Sequence, residues 1–186
     1  MKVIIFGSTG MVGQGVLQAC LRDADVREVL VVVRSPIPQE QRTHPKLREL
    51  VHTNFEDFSG LEATLAAAKV LVRPTMTFVL VSGTGADGKA MWARVKRKTE
   101  EAVRAIPFKD VYVFRPGMIE PLDGIRSRTR LYNVLYPLIW PLMALTKLVK
   151  PAIVTDTDRV GRAMLNVAKR GYTKKLLENP DINAAA

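Results

Sequence analysis

The sequence predicts an α/β domain in which helices wind around both faces of a mostly parallel sheet. Three observations support this prediction. Short apolar runs such as residues 29–33 and 77–81 alternate with helical patterns. A glycine-rich turn joins the first apolar run to the first helix. The chain has 186 residues, 47% of them hydrophobic, which suits a single domain over residues 1–186 with a substantial core.

The first element is a buried strand, residues 3–6, that ends in a turn with Gly7, Gly10 and Gly13 and continues as a helix to about Arg22. Glycines lack the Cβ atoms that would block a pyrophosphate, and the N–H groups at a helix N-terminus attract anions. An ordinary strand-to-helix turn is the alternative interpretation. The turn predicts a dinucleotide diphosphate site made of Gly7, Ser8, Thr9, Gly10, Met11, Val12 and Gly13.

The second strand, residues 29–33, is followed by Arg34, and this position predicts the cofactor. An acidic residue here would bind the ribose hydroxyls of NAD, whereas the planar, permanently charged guanidinium complements a 2′-phosphate. NADP is therefore the expected cofactor, and NAD is the second choice. The alternative is that Arg34 is a solvated residue at a strand end.

The next stretch alternates loops with a third strand and a helix. Prolines place loops at residues 35–38 and 44–45, and a third strand is expected near 50–53. Ser59 and Glu62 have the spacing of a capping box, in which each side chain satisfies a backbone N–H of the other residue. The helix that follows is expected to stop before Pro74.

Two further strands end in polar residues. Residues 77–81 lead to Ser82, and residues 111–114 lead to Arg115, with a basic helix over about 91–105 between them. The C-terminal ends of parallel strands line the ligand crevice, so both side chains are expected on the side of the glycine turn. Residues 155–158 offer N-capping groups for a last helix that closes near Gly171.

The net charge of +10 raises the question of a nucleic-acid partner. The basic residues are scattered, however, and no zinc-ligand spacing, RNA-binding aromatic motif or long basic tail accompanies them. We therefore interpret the charge as solvated surface and expect no nucleic-acid partner. Attraction to anionic dinucleotides or to a membrane surface is compatible with the same charge.

Three further features bear on thiol chemistry, metal binding and location in the cell. Cys20 is expected to pack as a small apolar residue. His44 and His52 have no acid at ligand spacing, so no metal is expected. The N-terminal residues lack the sections of a secretory signal, which predicts a cytoplasmic location.

Residues 131–149 form the most apolar segment, flanked by basic residues and interrupted by Pro137, Pro141 and Lys147. The favoured interpretation is a buried substrate-side or lid region within residues 118–155. An interfacial membrane segment, giving peripheral membrane contact, is the second interpretation, and a membrane span is the third because the prolines and the lysine interrupt the apolar run.

Four features occur in one order along the chain: the glycine turn, the strand end at residues 81–83, the helix with Lys96, and residues 114–117. In this order the chain resembles an extended or atypical short-chain dehydrogenase/reductase. It is similar to the NAD(P)-binding epimerase-like group that includes the Tat-interacting oxidoreductase-like proteins. The resemblance covers most of the chain and implies a Rossmann fold, a nicotinamide cofactor and oxidoreductase or epimerase-like chemistry. It also implies cofactor contacts from Arg115, Pro116 and Gly117.

The resemblance further implies a catalytic role for Ser82, which would orient the reacting oxygen of the substrate, and for Lys96, which would hold the nicotinamide ribose. Family members carry a tyrosine four residues before this lysine as the acid/base. Here that position is Trp92. Since indole has a donor N–H but no usable pKa near neutrality, enzymatic turnover is left open.

A second departure concerns the sheet. Family members usually carry a further strand and an active-site loop before the strand at residues 77–81, and this sequence shows neither. The expected sheet is therefore shortened by one strand unit. The chain is expected either to pass from the third strand to residues 77–81 through a single helical crossover, or to leave a gap or a weakened sheet. After the third strand, Asn54 stands where the family commonly has Asp, and with Phe55 it is expected to contact the adenine.

Two hypotheses follow. The first is an NADP-dependent oxidoreductase-like enzyme acting on a small carbonyl or sugar-like substrate, with Thr84 or solvent as candidate proton donor. The alternative is a catalytically impaired dinucleotide-binding sensor or scaffold that uses residues 131–149 for a membrane or protein partner. The oligomeric state is not predicted.

Overall fold

The computed structural model describes residues 1–53, 75–122, 125 and 151–186. The strands are β1 (Lys2–Phe6), β2 (Glu28–Val33), β3 (Leu47–Val51), β4 (Thr77–Val81), β5 (Asp110–Arg115), β6 (Met118–Glu120), β7 (Val154–Asp156) and β8 (Leu176–Glu178). The helices are α1 (Met11–Arg22), α2 (Gln39–Arg42), α3 (Met91–Arg104), α4 (Thr157–Arg170) and α5 (Asn179–Ala185), with a 3-10 turn at Pro151–Ile153.

The strands form three parallel groups, ordered β1-β2-β3, β4-β5-β8 and β6-β7. In the first group Phe6 is level with Val32, so the glycine turn emerges next to the end of β2. In the second group Val81 is level with Phe114. The predicted α/β architecture with a mostly parallel sheet is confirmed.

The two larger groups are joined by the packing of α1 on α4. A Cβ added at Gly15 would overlap the carbonyl oxygen of Thr157, and one added at Gly161 would lie 2.6 Å from the carbonyl oxygen of Gly15. The helix backbones therefore approach to a distance that only glycine permits at these positions. Val12 and Met164, one on each helix, contact the buried side chains of both core clusters.

A cavity of about 480 Å³ separates β1 from β4. The two strands do not pair, and no described strand lies between them. The lining includes the whole of both strands, Cys20 of α1 and Leu165 of α4. The connection that was expected either to cross over through a single helix or to leave a gap or a weakened sheet includes residues 54–74, which lie outside the described residues.

The predicted ends of the last helix agree with the structure. Asp156 Oδ1 accepts a hydrogen bond of 2.7 Å from the N–H of Arg159, and Gly171 terminates α4 with a φ of 77°. Gly171 adopts the left-handed conformation that commonly ends helices. Lys169, in the last turn, bonds Asp23 at 2.6 Å and Asp25 at 2.7 Å, which fixes α4 to the loop after α1.

Other boundaries differ from the predictions. The third strand is Leu47–Val51, not residues 50–53, and its charged Glu49 accepts a hydrogen bond of 2.6 Å from Ile37 N. This bond explains why a polar residue lies within a partly buried strand. The short elements β6, β7, β8, α2 and α5 were not predicted because three to seven residues are too few to show a period.

The predicted helix after Ser59 and the apolar segment 131–149 lie outside the described residues. Within the described part of the chain, none of the helices combines the length and the apolar character that crossing a membrane requires. The region 118–155 is described at its two ends, where β6 pairs with β7.

We predict that Gly15→Ala lowers the free energy of unfolding by about 2 kcal/mol, because the methyl group would overlap Thr157 and push α1 away from α4. Urea denaturation followed by circular dichroism measures the change. Gln18→Ala, one turn further along α1, is the matched control and should change stability by less than about 0.5 kcal/mol. Equal stability of the Gly15→Ala variant and the wild type would contradict the close approach.

Candidate functional site

The glycine turn adopts a tight conformation. Gly7 has a φ of 73°, in the left-handed region that glycine adopts without strain, and its carbonyl oxygen accepts a hydrogen bond of 3.0 Å from Gly10 N. A Cβ added at Gly13 would overlap the Gly7 carbonyl oxygen and lie 2.9 Å from Ser8 Cα. Glycine is therefore required at both ends of the turn for the loop to fold back onto the start of α1.

The N-terminus of α1 has no side-chain cap. Gly10 is its N-cap and supplies no side-chain hydrogen bond, and the first turn contains no acidic residue. The partial positive charge of the helix terminus is thus not offset by a carboxylate. Gln14 Nε2 donates a hydrogen bond of 3.1 Å to Thr9 O and holds the loop against the helix.

Ser8 supplies an independent polar group in the turn. It is buried, with 2% of its surface exposed, and its Oγ has no hydrogen-bond partner among the described residues. A buried hydroxyl without a partner is costly, so a bound acceptor would relieve it. The glycine backbone, the uncapped helix terminus and this hydroxyl together fit a diphosphate group.

Arg34 lies beside this turn. It comes two residues after Val32, which is level with Phe6, so it follows β2 on the edge where the glycine turn begins. Its side chain is exposed and forms no ion pair with another described residue. The guanidinium is thus available to an anionic ligand.

Ser82 and Lys96 form a second polar cluster at the end of β4. Ser82 N donates a hydrogen bond of 2.8 Å to Phe114 O, which extends the pairing of β4 with β5, and Lys96 Nζ donates one of 3.3 Å to Ser82 O. A Cβ added at Gly83 would lie 2.6 Å from Lys96 Nζ. The structure therefore brings together the two residues that the sequence predicted to be catalytic.

The Ser82 hydroxyl has a special environment. Its Oγ is inaccessible to solvent and has no hydrogen-bond partner of full geometry among the described residues. It nevertheless lies close enough to the Glu100 carboxylate to contribute to the lowered pKa of that group. The Ser82 hydroxyl therefore lies beside a buried, charged carboxylate.

Trp92 lies over the same loop. Its ring is 5.4 Å from Lys96 Nζ, and a Cβ added at Gly85, whose φ is 80°, would lie 2.9 Å from the ring. The indole is 52% exposed. It stabilises the ammonium group through a cation–π interaction, but its N–H is a donor only and carries no proton for transfer near neutral pH.

Arg115 is at the centre of a buried ion-pair network. Its Nε donates a hydrogen bond of 3.0 Å to Glu100 Oε1, its Nη2 donates one of 2.7 Å to Glu100 Oε2, and its Nη1 bonds Asp87. Arg115 is 5% exposed, and Glu100 is fully buried. The bidentate pair fixes α3, which carries Lys96, to β5.

The pair shifts the titration of both groups. Burial alone would raise the pKa of the Glu100 carboxyl, but the hydrogen bonds from Arg115 and the nearby Ser82 outweigh burial and hold that pKa below its ordinary value. The hydrogen bonds that Glu100 accepts likewise raise the pKa of Arg115 despite its burial. Both groups are therefore charged in the folded protein at neutral pH.

The turn after β5 is held by other residues. Pro116 O accepts a hydrogen bond of 3.2 Å from Thr84 N, and Gly117 N donates one of 3.0 Å to Asn179 Oδ1. The Arg115 guanidinium already bonds Glu100 and Asp87. A ligand at this turn would therefore contact the backbone of the turn more readily than the Arg115 side chain. The cofactor role predicted for residues 115–117 stays a prediction.

Sequence reasoning missed Glu100, Asp87 and Asn179. Glu100 had a detectable signal, since it is four residues after Lys96 and shares its helix face. Asp87 lies in a loop and Asn179 at the start of α5, and their partners Arg115 and Gly117 are distant in sequence. Asn54 and Phe55, predicted to contact adenine, lie outside the described residues, and the described residues contain no cluster of side chains suited to a metal ion.

Comparison with known proteins gives one sequence relative of note and many structural ones. No family model matches the chain. The protein "fmp52, mitochondrial" of Emericella nidulans is 28% identical over 167 aligned residues, which take in 69% of this chain and 70% of the relative.

Solved structures match over nearly the whole chain at low identity. A short-chain dehydrogenase/reductase of Saccharomyces cerevisiae has a TM-score of 0.63 and 13% identity, covering 100% of this chain and 98% of its own. The 3-oxoacyl-[acyl-carrier protein] reductase of Brucella melitensis, in complex with NAD, has a TM-score of 0.62 and 13% identity, covering 100% and 97%. The yeast methylglyoxal/isovaleraldehyde reductase, complexed with NADPH, has a TM-score of 0.60 and 16% identity, covering 96% and 75%.

These matches show the fold. The chain has the Rossmann-like fold of the short-chain dehydrogenases/reductases, which the sequence predicted. At identities of 13% to 16%, the matches carry no residue roles to this chain.

We predict that Glu100→Gln lowers the free energy of unfolding at pH 7 by about 3 kcal/mol, since it leaves the charge of Arg115 buried without a full partner. Because folding lowers the pKa of Glu100, its stabilising effect is present above the ordinary value of 4.5 and is lost as the pH falls through the folded value. Urea denaturation between pH 7 and pH 3 should show a steeper acid loss in the wild type than in Glu100→Gln. The exposed Glu101→Gln is the control, and it should retain wild-type stability and acid dependence.

Proposed function

We propose that this chain is an NADP-binding oxidoreductase-like protein of the short-chain dehydrogenase/reductase type that acts on a small carbonyl or sugar-like substrate. The observation that carries the proposal is the glycine turn, where Gly13 permits close approach of the backbone at an uncapped helix terminus. The buried Ser8 hydroxyl and the fold shared with NAD- and NADPH-bound reductases support it.

In this proposal the turn between β1 and α1 binds the diphosphate, and Arg34 binds the 2′-phosphate of NADP. A guanidinium pairs with phosphate through two parallel hydrogen bonds, and Arg34 is exposed without a competing carboxylate among the described residues. One structural relative is bound to NAD and another to NADPH, so the preference for NADP rests on Arg34 itself.

A bound nicotinamide would supply or accept the hydride. Lys96 Nζ, beside Ser82 O, would hold the nicotinamide ribose, and the Ser82 hydroxyl would donate a hydrogen bond to the substrate oxygen. Trp92 covers the lysine but gives no proton. Thr84, exposed next to Gly117, or solvent would then act as proton donor.

A second candidate is a dinucleotide-binding sensor or scaffold with impaired turnover. One observation favours it: the indole of Trp92 occupies the position four residues before Lys96, where a proton-donating phenol would assist reduction. In that case a membrane or protein partner would be contacted through residues 131–149. A cytoplasmic location with peripheral membrane contact is proposed, and the mitochondrial designation of the relative makes mitochondria the second location to examine by cell fractionation.

We predict that calorimetric titration shows tighter binding of NADPH than of NADH, and that Arg34→Ala weakens NADPH binding about tenfold while NADH binding is unchanged. The loss reflects a charge-assisted hydrogen bond of about 1.5 kcal/mol. Arg170→Ala, which removes another exposed arginine at the end of α4, is the matched control.

Absence of binding heat with both nucleotides would contradict the dinucleotide site itself. Tighter binding of NADH than of NADPH, or an equal loss of affinity for both nucleotides in Arg34→Ala, would contradict only the role proposed for Arg34.

We predict that Trp92→Tyr raises the rate of NADPH-dependent carbonyl reduction by about a hundredfold, because a phenol beside Lys96 supplies the missing general acid. The rate is measured as NADPH consumption with a panel of aldehydes and ketones. Trp92→Phe is the matched control. Phenylalanine has the ring of tyrosine without the acidic hydroxyl, so it should give no increase in rate. If wild-type turnover is already fast and Trp92→Tyr does not raise it, another group supplies the proton.

A further inference from the structure

Glu49 is a carboxylate in the middle of β3 to which the proposed function assigns no role. Its Oε1 accepts a hydrogen bond of 2.6 Å from Ile37 N, and its Oε2 lies 3.1 Å from Arg42 Nε. Because 17% of the side chain is exposed, the charge is largely removed from water and is costly unless it is paired. Both of these partners belong to the segment between β2 and β3. The carboxylate therefore ties that segment to the sheet.

The tied segment begins with a reversal of the chain that carries Arg34. Val33 and Ile37 are buried in the same core cluster, whereas residues 34–36 between them are exposed. Glu49 is level with Val31, two residues before the end of β2, so its bond to Ile37 turns the chain back along the sheet. Arg34 is therefore near the apex of a loop that is held at both ends.

The two ends of this loop are held by different interactions. At the first end, Val33 O accepts a hydrogen bond of 2.8 Å from His52 N, which belongs to the pairing of β2 with β3. At the second end, Pro36 and Pro38 have no N–H group, so Ile37 supplies the backbone donor of residues 36–38. Glu49 accepts that donor, and it is thus the polar anchor of the second end.

We propose that Glu49 is a positioning residue for cofactor selection, which holds residues 34–37 in place so that Arg34 meets the 2′-phosphate of NADP already ordered. The inference rests on the proposed function, since it assumes that Arg34 binds this phosphate. A loop that is ordered before binding loses less conformational entropy when the ligand arrives, and it therefore binds more tightly. NADH has no phosphate at this position, so its affinity should not depend on Glu49.

Calorimetric titration of the protein with NADPH and with NADH tests the proposal. Glu49→Ala should weaken NADPH binding about fivefold and leave NADH binding unchanged. Glu49→Gln should keep most of the NADPH affinity, because its amide oxygen can still accept the hydrogen bond from Ile37 N. Glu28→Ala is the matched control, since it removes another ion-paired carboxylate at the opposite end of β2, and it should change neither affinity.

A double variant separates a positioning role from a general loss of stability. If Glu49 acts through Arg34, Glu49→Ala should weaken NADPH binding no further once Arg34→Ala is present. Glu49→Asp applies the same test if Glu49→Ala does not fold. Its carboxylate is one methylene shorter and cannot keep both bonds, so it should weaken NADPH binding about threefold without altering NADH binding.

Four results would overturn the proposal. The first is an equal loss of affinity for both nucleotides in the Glu49 variants, and the second is additive losses in the double variant. The third is a Glu49→Gln variant that binds NADPH as weakly as Glu49→Ala. The fourth is NADPH affinity that Arg34→Ala lowers and the Glu49 variants do not. Each of these leaves the proposed function intact, whereas wild-type protein that binds neither nucleotide would contradict the proposed function as well.

Discussion

The close approach of α1 and α4 is the constraint on which the described fold depends. The strands β1-β2-β3 and β4-β5-β8 share no hydrogen bonds, so the backbone ladder does not connect them. Gly15 and Gly161 allow the two helices to pack backbone against backbone beside the cavity. The packing of these helices therefore holds the two groups of strands together, as strand pairing does in an uninterrupted sheet. The apolar contacts of Val12 and Met164 with both core clusters add to this packing.

This arrangement also determines how the candidate site is assembled. The glycine turn belongs to the first group of strands, whereas Ser82 and Lys96 belong to the second. Within the second group, the pair of Glu100 and Arg115 holds α3 against β5 and so fixes the lysine that α3 carries. A dinucleotide that contacted both groups would span elements joined by helix packing, so its binding and the stability of the fold are coupled.

The glycine turn and the group around Ser82 and Lys96 differ in how completely they are equipped for the proposed function. The glycine turn has a backbone geometry that suits anion binding, together with a buried serine hydroxyl that has no partner among the described residues. The candidate catalytic group combines Ser82 and Lys96 with a tryptophan, which can stabilise charge but cannot exchange a proton near neutral pH. Binding is therefore the better supported half of the proposed function, and turnover depends on a proton donor other than residue 92.

The sequence by itself determined the α/β class, the glycine turn and the helices α1, α3 and α4, because periodicity and glycine spacing are local properties of the chain. The resemblance singled out Ser82 and Lys96 as candidates, and the structure places them in contact. Only the tertiary structure showed that Arg115 bonds Glu100 and Asp87, and that Asn179 holds Gly117, since these partners are separated by 15 to 62 residues. The separation of β1 from β4 among the described strands was likewise visible only in three dimensions, because the placement of two strands depends on the packing of helices that no local pattern records.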